Sequence, residues 1–151
     1  MARKRTNANV PAKGRLREMA DALWSLAVRE DWAWRCAVCG SATVEAHHLV
    51  PRQHEATRYE LRNGIALCSR CHQFDPDISP HQNASGWMLW LKRYHRPLWQ
   101  WYSDNPRPEF TGTKNAAHYI EVIQGLREYV PAEEFERIVG VKFSRWLEQS
   151  T

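Results

Sequence analysis

Two Cys-x-x-Cys pairs, Cys36/Cys39 and Cys68/Cys71, are separated by 28 residues. A two-residue gap lets one tight knuckle aim both thiolates at a single ion. Two knuckles then supply the four sulfurs of a closed, tetrahedral structural zinc site. The interval is longer than in a common zinc ribbon, so a segment with content of its own is inserted between them. That segment carries Glu45-Ala46-His47-His48-Leu49-Val50-Pro51 and Asn63, and His72 directly follows Cys71. Imidazoles bind divalent cations and, with an ordinary pKa of about 6.5, accept protons near neutral pH. A redox pair or two disulfides compete as readings of the cysteines. Zinc is preferred because the motif is doubled and nothing else suggests an oxidising compartment. It also explains how a loop-rich stretch with little apolar surface folds.

The elements that must position these groups are short. Leu16, Met19, Ala20, Leu23, Leu26 and Ala27 recur at helical spacing, which predicts an amphipathic helix over 15–30. Residues 43–50 read as a strand closed by Pro51, 51–63 as a polar loop, and Gly64–Leu67 as a brief apolar run into the second knuckle. A short helix starts there but is stopped by Asp75-Pro76-Asp77 and Ser79-Pro80. Asn83 or Ser85 opens another helix through Trp87, Trp90, Leu91 and Tyr94. Adjacent residues on a strand point to opposite faces, so His47 and His48 are not expected to do the same job, and a division into one metal ligand and one general base suits that geometry. Spacing alone does not say which is which.

The chain of 151 residues carries a formal charge of +4. Residues 1–17 hold six basic and no acidic groups, against 15 basic and 17 acidic in the remainder. A basic arm suits a polyanion such as nucleic acid, though a solvated tail has the same composition. No run approaches the roughly 18 apolar residues of a membrane span. The basic amino terminus leads into no apolar stretch, so no secretory signal is expected.

The stretch Trp34 to His72 resembles the HNH, or ββα-metal, endonucleases, in the subgroup whose nuclease motif is framed by a four-cysteine zinc site. The resemblance rests on His47-His48 followed by Asn63-x-x-x-x-Cys68-x-x-Cys71-His72. Thr57-Arg58-Tyr59 and Trp87 further resemble small phage-encoded members. It implies that His47 and His72 bind a catalytic divalent ion, magnesium or manganese, and that His48 activates water. It also implies that Asn63 fixes the loop by bonding backbone near the base. The structural zinc on Cys36, Cys39, Cys68 and Cys71 would then preorganise the catalytic ion.

Each assignment has a plainer counterpart. Asn63-Gly64 is also a hairpin-turn dipeptide; His47 or His48 alone would pass for a satisfied strand histidine; His72 could cap its helix. Related phage sequences continue the helix after Cys-His with another histidine, whereas here residues 75–80 intervene. His81 therefore reads as a surface loop histidine, with a displaced ligand as the alternative and Asp75 as a comparable candidate. Arg58 first, then Arg52, Arg62 and Arg70, are candidates for DNA phosphates. Trp87, Trp90, Trp99 and Trp101 are assigned to the core before base stacking. Residues 133–149 have the outline of a helix-turn-helix, but residues 113–151 carry five basic and six acidic groups, which suits packing or oligomerisation better.

The expected fold is α+β: a small zinc-stabilised ββα-metal nuclease core flanked by N- and C-terminal helices. Its parts are a basic arm (1–14), the nuclease domain (15–102, motif 34–72), a linker (103–114) and a helical appendage (115–151). The expected function is metal-dependent hydrolysis of DNA phosphodiesters. The rivals are a non-catalytic zinc-binding DNA module and a zinc-knuckle adaptor. DNA is the expected partner, with a homodimer or a phage or replication protein besides, in the cytoplasm of a bacterial or phage-infected cell.

Overall fold

The computed structural model describes residues 8–105 and 107–150. Arg3, Lys4 and Arg5, half of the basic arm's cations, lie outside the described residues. Contacts divide the chain into two compact units, one built from residues up to Leu23 together with those from Gly112 on, the other from Trp24 to Thr111. The division falls inside the first helix, α1 (Lys13–Asp31). Residues 15–23, grouped with the nuclease segment in the sequence, belong to the first unit.

In the first unit Leu16, Met19, Ala20 and Leu23 are buried at the helical spacing read from the sequence. The rest is α5 (Ala116–Leu126), α6 (Ala132–Val139) and α7 (Val141–Gln149), numbered in chain order. The Asn115 side chain accepts from the His118 amide to cap α5. Gly140, at φ +85°, turns the chain between α6 and α7, a conformation that favours glycine.

The second unit begins with Trp24 and the C-terminal half of α1. That helix ends in two consecutive left-handed residues, Ala33 and Trp34, which reverse the chain into the first cysteine knuckle. Gly40, at φ +75°, closes the knuckle, and the Ala37 amide donates to the Ala66 carbonyl, tying it to the sheet. The sheet has two antiparallel strands, β1 (Glu45–His48) and β2 (Gly64–Leu67), with His47 opposite Ile65 and His48 opposite Gly64. β1 is shorter than the 43–50 expected. The connection between them is not all loop: it holds one helical turn, α2 (Glu55–Arg58), and a 3₁₀ turn at Leu61–Asn63. The apolar pattern missed these because their buried side chains include Glu55, Thr57, Arg58 and Asn63.

β2 is buried along its whole length. Gly64 is required for a packing reason: a Cβ there would collide with Val28 and Trp24 of α1. A π-helical turn, Arg70–Phe74, follows the second knuckle, then α3 (Ala84–Tyr94) and α4 (Arg96–Asp104). The core joins Val44, Leu49, Ile65 and Leu67 to three of the cysteines and to Trp87 and Leu91, with Trp90 and Trp99 packed against it. No described helix is long and apolar enough to cross a membrane.

Candidate functional site

The four cysteines are free thiols whose sulfurs all lie within 4.8 Å of one another. Cys39 Sγ and Cys68 Sγ, from different knuckles, are 3.6 Å apart. Two sulfurs at about 2.3 Å from one tetrahedral zinc would be separated by about 3.8 Å, so the spacing suits a single ion. Burial raises the Cys36 thiol, but hydrogen bonds from the backbone of Cys39, Cys68 and Val38 bring it down to about 7. Burial, and then the neighbouring sulfurs, push Cys71 far up. Thiols held this closely cannot all ionise without a cation among them.

On the sheet, His47 and His48 face different partners, as strand alternation requires. His47 Nδ1 lies 3.0 Å from His72 Nε2, which in turn lies 3.1 Å from His81 Nε2. The three nitrogens form one cluster. Two ligands placed cis on an octahedron at about 2.1 Å are about 3.0 Å apart, so the spacing matches coordination of one ion. Burial first, then the imidazoles of His72, His81 and His48, hold His47 at a pKa of about 3, which keeps it neutral as a ligand must be. Trp87 closes the cluster's inner side, its ring 6.0 Å from that of His47.

His72 sits on the π-helical turn, and its Nδ1 donates to Glu45 Oε2 at 2.9 Å. This fixes the tautomer that leaves the Nε2 lone pair toward the cluster. Glu45 also accepts from Ser69 Oγ at 3.0 Å. The hydrogen bond to His72, above all, holds its carboxyl below the usual range. Glu45 precedes His47 by two residues on one strand and so shares its face, a signal present in the sequence but given no role there.

His81 lies exposed on a turn, as a surface loop histidine would, yet its Nε2 joins the cluster, as the displaced-ligand alternative has it. Ser79, fully buried, explains how it reaches the cluster: its Oγ donates to the His72 carbonyl at 2.7 Å and accepts from the His81 amide at 3.2 Å. The interruption at 75–80 thus bends His81 back rather than carrying it away. Asp75 is not brought to the histidines; its carboxylate accepts from the amides of Asp77 and Ile78 and holds that turn.

On the other face, His48 Nε2 donates to the Arg58 carbonyl at 2.9 Å, which places the neutral ring's lone pair on Nδ1. The Trp24 ring stacks on the imidazole at 3.7 Å and 7° between planes, and its Nε1 donates to the Glu60 carbonyl at 3.0 Å. No local pattern announces Trp24, since it arrives from a helix more than 20 residues upstream. Asn63, with no exposure at all, bridges the two sides of the loop. Its Oδ1 accepts from the Val50 amide at 2.6 Å, and its Nδ2 donates to the carbonyls of Val50 (3.0 Å) and Thr57 (3.1 Å). Gly64 opens a strand rather than a two-residue hairpin turn.

The four arginines divide. Arg58 is only 4% exposed, and its guanidinium donates to the Arg52 carbonyl at 3.1 Å. It therefore braces the loop that carries the His48 acceptor and is not presented to a phosphate. Arg52, Arg62 and Arg70 are exposed; Arg62 lies over Trp101 and Arg70 reaches Asp75 at 3.6 Å. The donor set bears on which ion the histidine cluster could hold. Three imidazole nitrogens, with no carboxylate in the described cluster, suit first-row transition ions, manganese among them, better than magnesium.

Residues 36–74 match the family model of the HNH endonucleases. The match covers both knuckles, both strands, His47, His48, Asn63 and His72. No curated protein and no solved structure gives a significant match to the chain.

Proposed function

We infer that this chain, whose residues 36–74 form an HNH endonuclease segment, is a DNA endonuclease that hydrolyses phosphodiesters with His48 as general base. The observation that carries this is the division of labour across β1. Three imidazole nitrogens converge on one side, and a single imidazole held by a backbone carbonyl and a stacked ring stands on the other. A zinc-binding scaffold that only grips DNA has no use for that arrangement, and an adaptor has still less.

His47, His72 and His81 would hold the catalytic ion, a transition metal such as manganese, nickel or zinc, and Cys36, Cys39, Cys68 and Cys71 would hold structural zinc. When bound, the catalytic ion supplies positive charge for the scissile phosphate and the departing 3′ oxygen. The remaining steps belong to the chain. The Arg58 carbonyl and the Trp24 ring fix the His48 imidazole, and its Nδ1 is the nitrogen that would serve as the base. Nδ1 takes a proton from a water as its oxygen bonds to phosphorus; the bond from phosphorus to the 3′ oxygen breaks, and that oxygen takes up a proton. The products are a 5′-phosphate and a 3′-hydroxyl. Asn63 and Arg58 keep the loop carrying the carbonyl in register with β1. Four uncrosslinked thiols suit a reducing cytoplasm, bacterial or phage-infected.

Nicks made in supercoiled plasmid test the chemistry. They should form with manganese or nickel, vanish with chelator, and be sealed by a DNA ligase that requires 5′-phosphate and 3′-hydroxyl ends. Nicks that form in chelator, or that ligase cannot seal, contradict the reading.

A further inference from the structure

The HNH segment leaves a second run of basic residues without a role. Residues 24–77 mix six basic with seven acidic groups, whereas residues 78–103 carry Lys92, Arg93 and Arg96 and no aspartate or glutamate. These three residues sit where α3 gives way to α4 at His95, on an elbow whose exposed surface also includes Leu89 (70% exposed) and Tyr94 (59%). Lys92 Nζ lies 4.7 Å from the centre of the Trp99 ring, and the Arg93 guanidinium 5.3 Å from that of Tyr94. Among the described residues, none of the three cations is paired with a carboxylate.

Helix electrostatics accounts for only part of this. Lys92 and Arg93 lie in the last turn of α3, where cations complement the macrodipole. Arg96, however, opens α4, where the dipole disfavours a cation. A shared external anion explains all three. A run of ring contacts also links the elbow to the His47 side. Trp87, edge-on to His47, stacks on Trp90 at 5.4 Å, and Trp90 meets Tyr94 at 5.6 Å and His95 at 5.1 Å. From Trp87, beside His47, to Lys92 the helix rises about 8 Å, a span of about two base pairs along the duplex axis.

We propose that the α3–α4 elbow is a second DNA-binding surface, on which Lys92, Arg93 and Arg96 grip the duplex backbone to one side of the scissile phosphate. This rests on the endonuclease reading. It adds a contact outside the HNH segment, and it gives the enzyme a fixed footprint: cleavage needs duplex on the elbow side of the cut.

The test measures binding of a fluorescent duplex of about 30 base pairs against salt, with the full zinc-loaded chain in a His48→Ala background so that the DNA stays intact. Changing Lys92, Arg93 and Arg96 together to glutamine should make the plot of log Kd against log salt shallower by up to about 2.7, at about 0.9 per lost phosphate contact. The charge-matched control, Lys114→Gln, Lys142→Gln and Arg145→Gln, should leave it unchanged. An unaltered slope in the elbow variant, while the wild type still nicks plasmid, overturns the elbow alone. An equal fall in the control also overturns it, since the effect is then net charge. A wild-type chain that neither binds nor cuts DNA overturns both the elbow and the endonuclease reading.

Discussion

Asn63 shows how much one side chain can hold. Its amide makes three hydrogen bonds in a setting with no solvent to replace them. Asn63→Ala would leave the Val50 amide and the carbonyls of Val50 and Thr57 unpaired, and should cost about 3 kcal/mol, read as a lower urea midpoint. Trp24 acts differently, through His48. It clamps the imidazole by stacking, so Trp24→Ala should lower kcat about tenfold or more with KM little changed, a misplacement of the base rather than a loss of substrate binding. Trp24→Phe keeps an aromatic face against the ring and should restore much of the rate. Equal losses in both variants would point to the indole's hydrogen bond to Glu60 instead.

At the scale of elements, two clusters that could each hold a metal ion share one short sheet. Cys36 and Cys39 precede β1, Cys68 and Cys71 follow β2, and His72 comes directly after the second knuckle. Removing one sulfur by Cys71→Ser should therefore loosen the catalytic histidines as well as the zinc, because metal-binding energy here is folding energy. Circular dichroism and zinc content should fall together. His47 adds a dependence on pH. Its folded pKa, about 3, lies below the unfolded value near 6.5, so the unfolded state binds the proton more readily. With the cysteine zinc kept and the histidine site stripped by dialysis, stability should be full above about pH 6.5. It should fall by up to about 1.4 kcal/mol per pH unit as pH drops from about 6.5 toward about 5, while the thiolates still hold zinc. His47→Gln should flatten that slope; an unchanged slope assigns the effect elsewhere.

The same scale separates what could be read in the chain from what could not. The helical spacing from Leu16 onward, the doubled knuckles and the strand residues around His47 and His48 are local patterns, and they led to the α+β reading. α2 escaped because its buried residues are polar. Arg58 looked like a phosphate ligand because burial is invisible in composition. The approach of His81 depends on Ser79 closing the turn between His72 and His81, and the contact of Trp24 with His48 joins a helix to a strand, so neither is a local pattern.

Over the whole molecule, the charge of +4 has little to do with the chemistry itself. What the chain offers DNA is local: an imidazole cluster for an ion, one oriented base, and unpaired cations on the α3–α4 elbow. The C-terminal helices sit in the other unit with α1's first turns, and their acidic composition gives them no evident part in gripping a polyanion. The central claim is that His48 activates the attacking water, and a single comparison tests it. Plasmid nicking should be measured for the wild type and for His48→Ala at saturating manganese, with metal content determined on the same samples. The expected result is a fall of about 10²–10⁴ in rate with both metal sites still filled. Nicking at the wild-type rate by a fully loaded His48→Ala would contradict it.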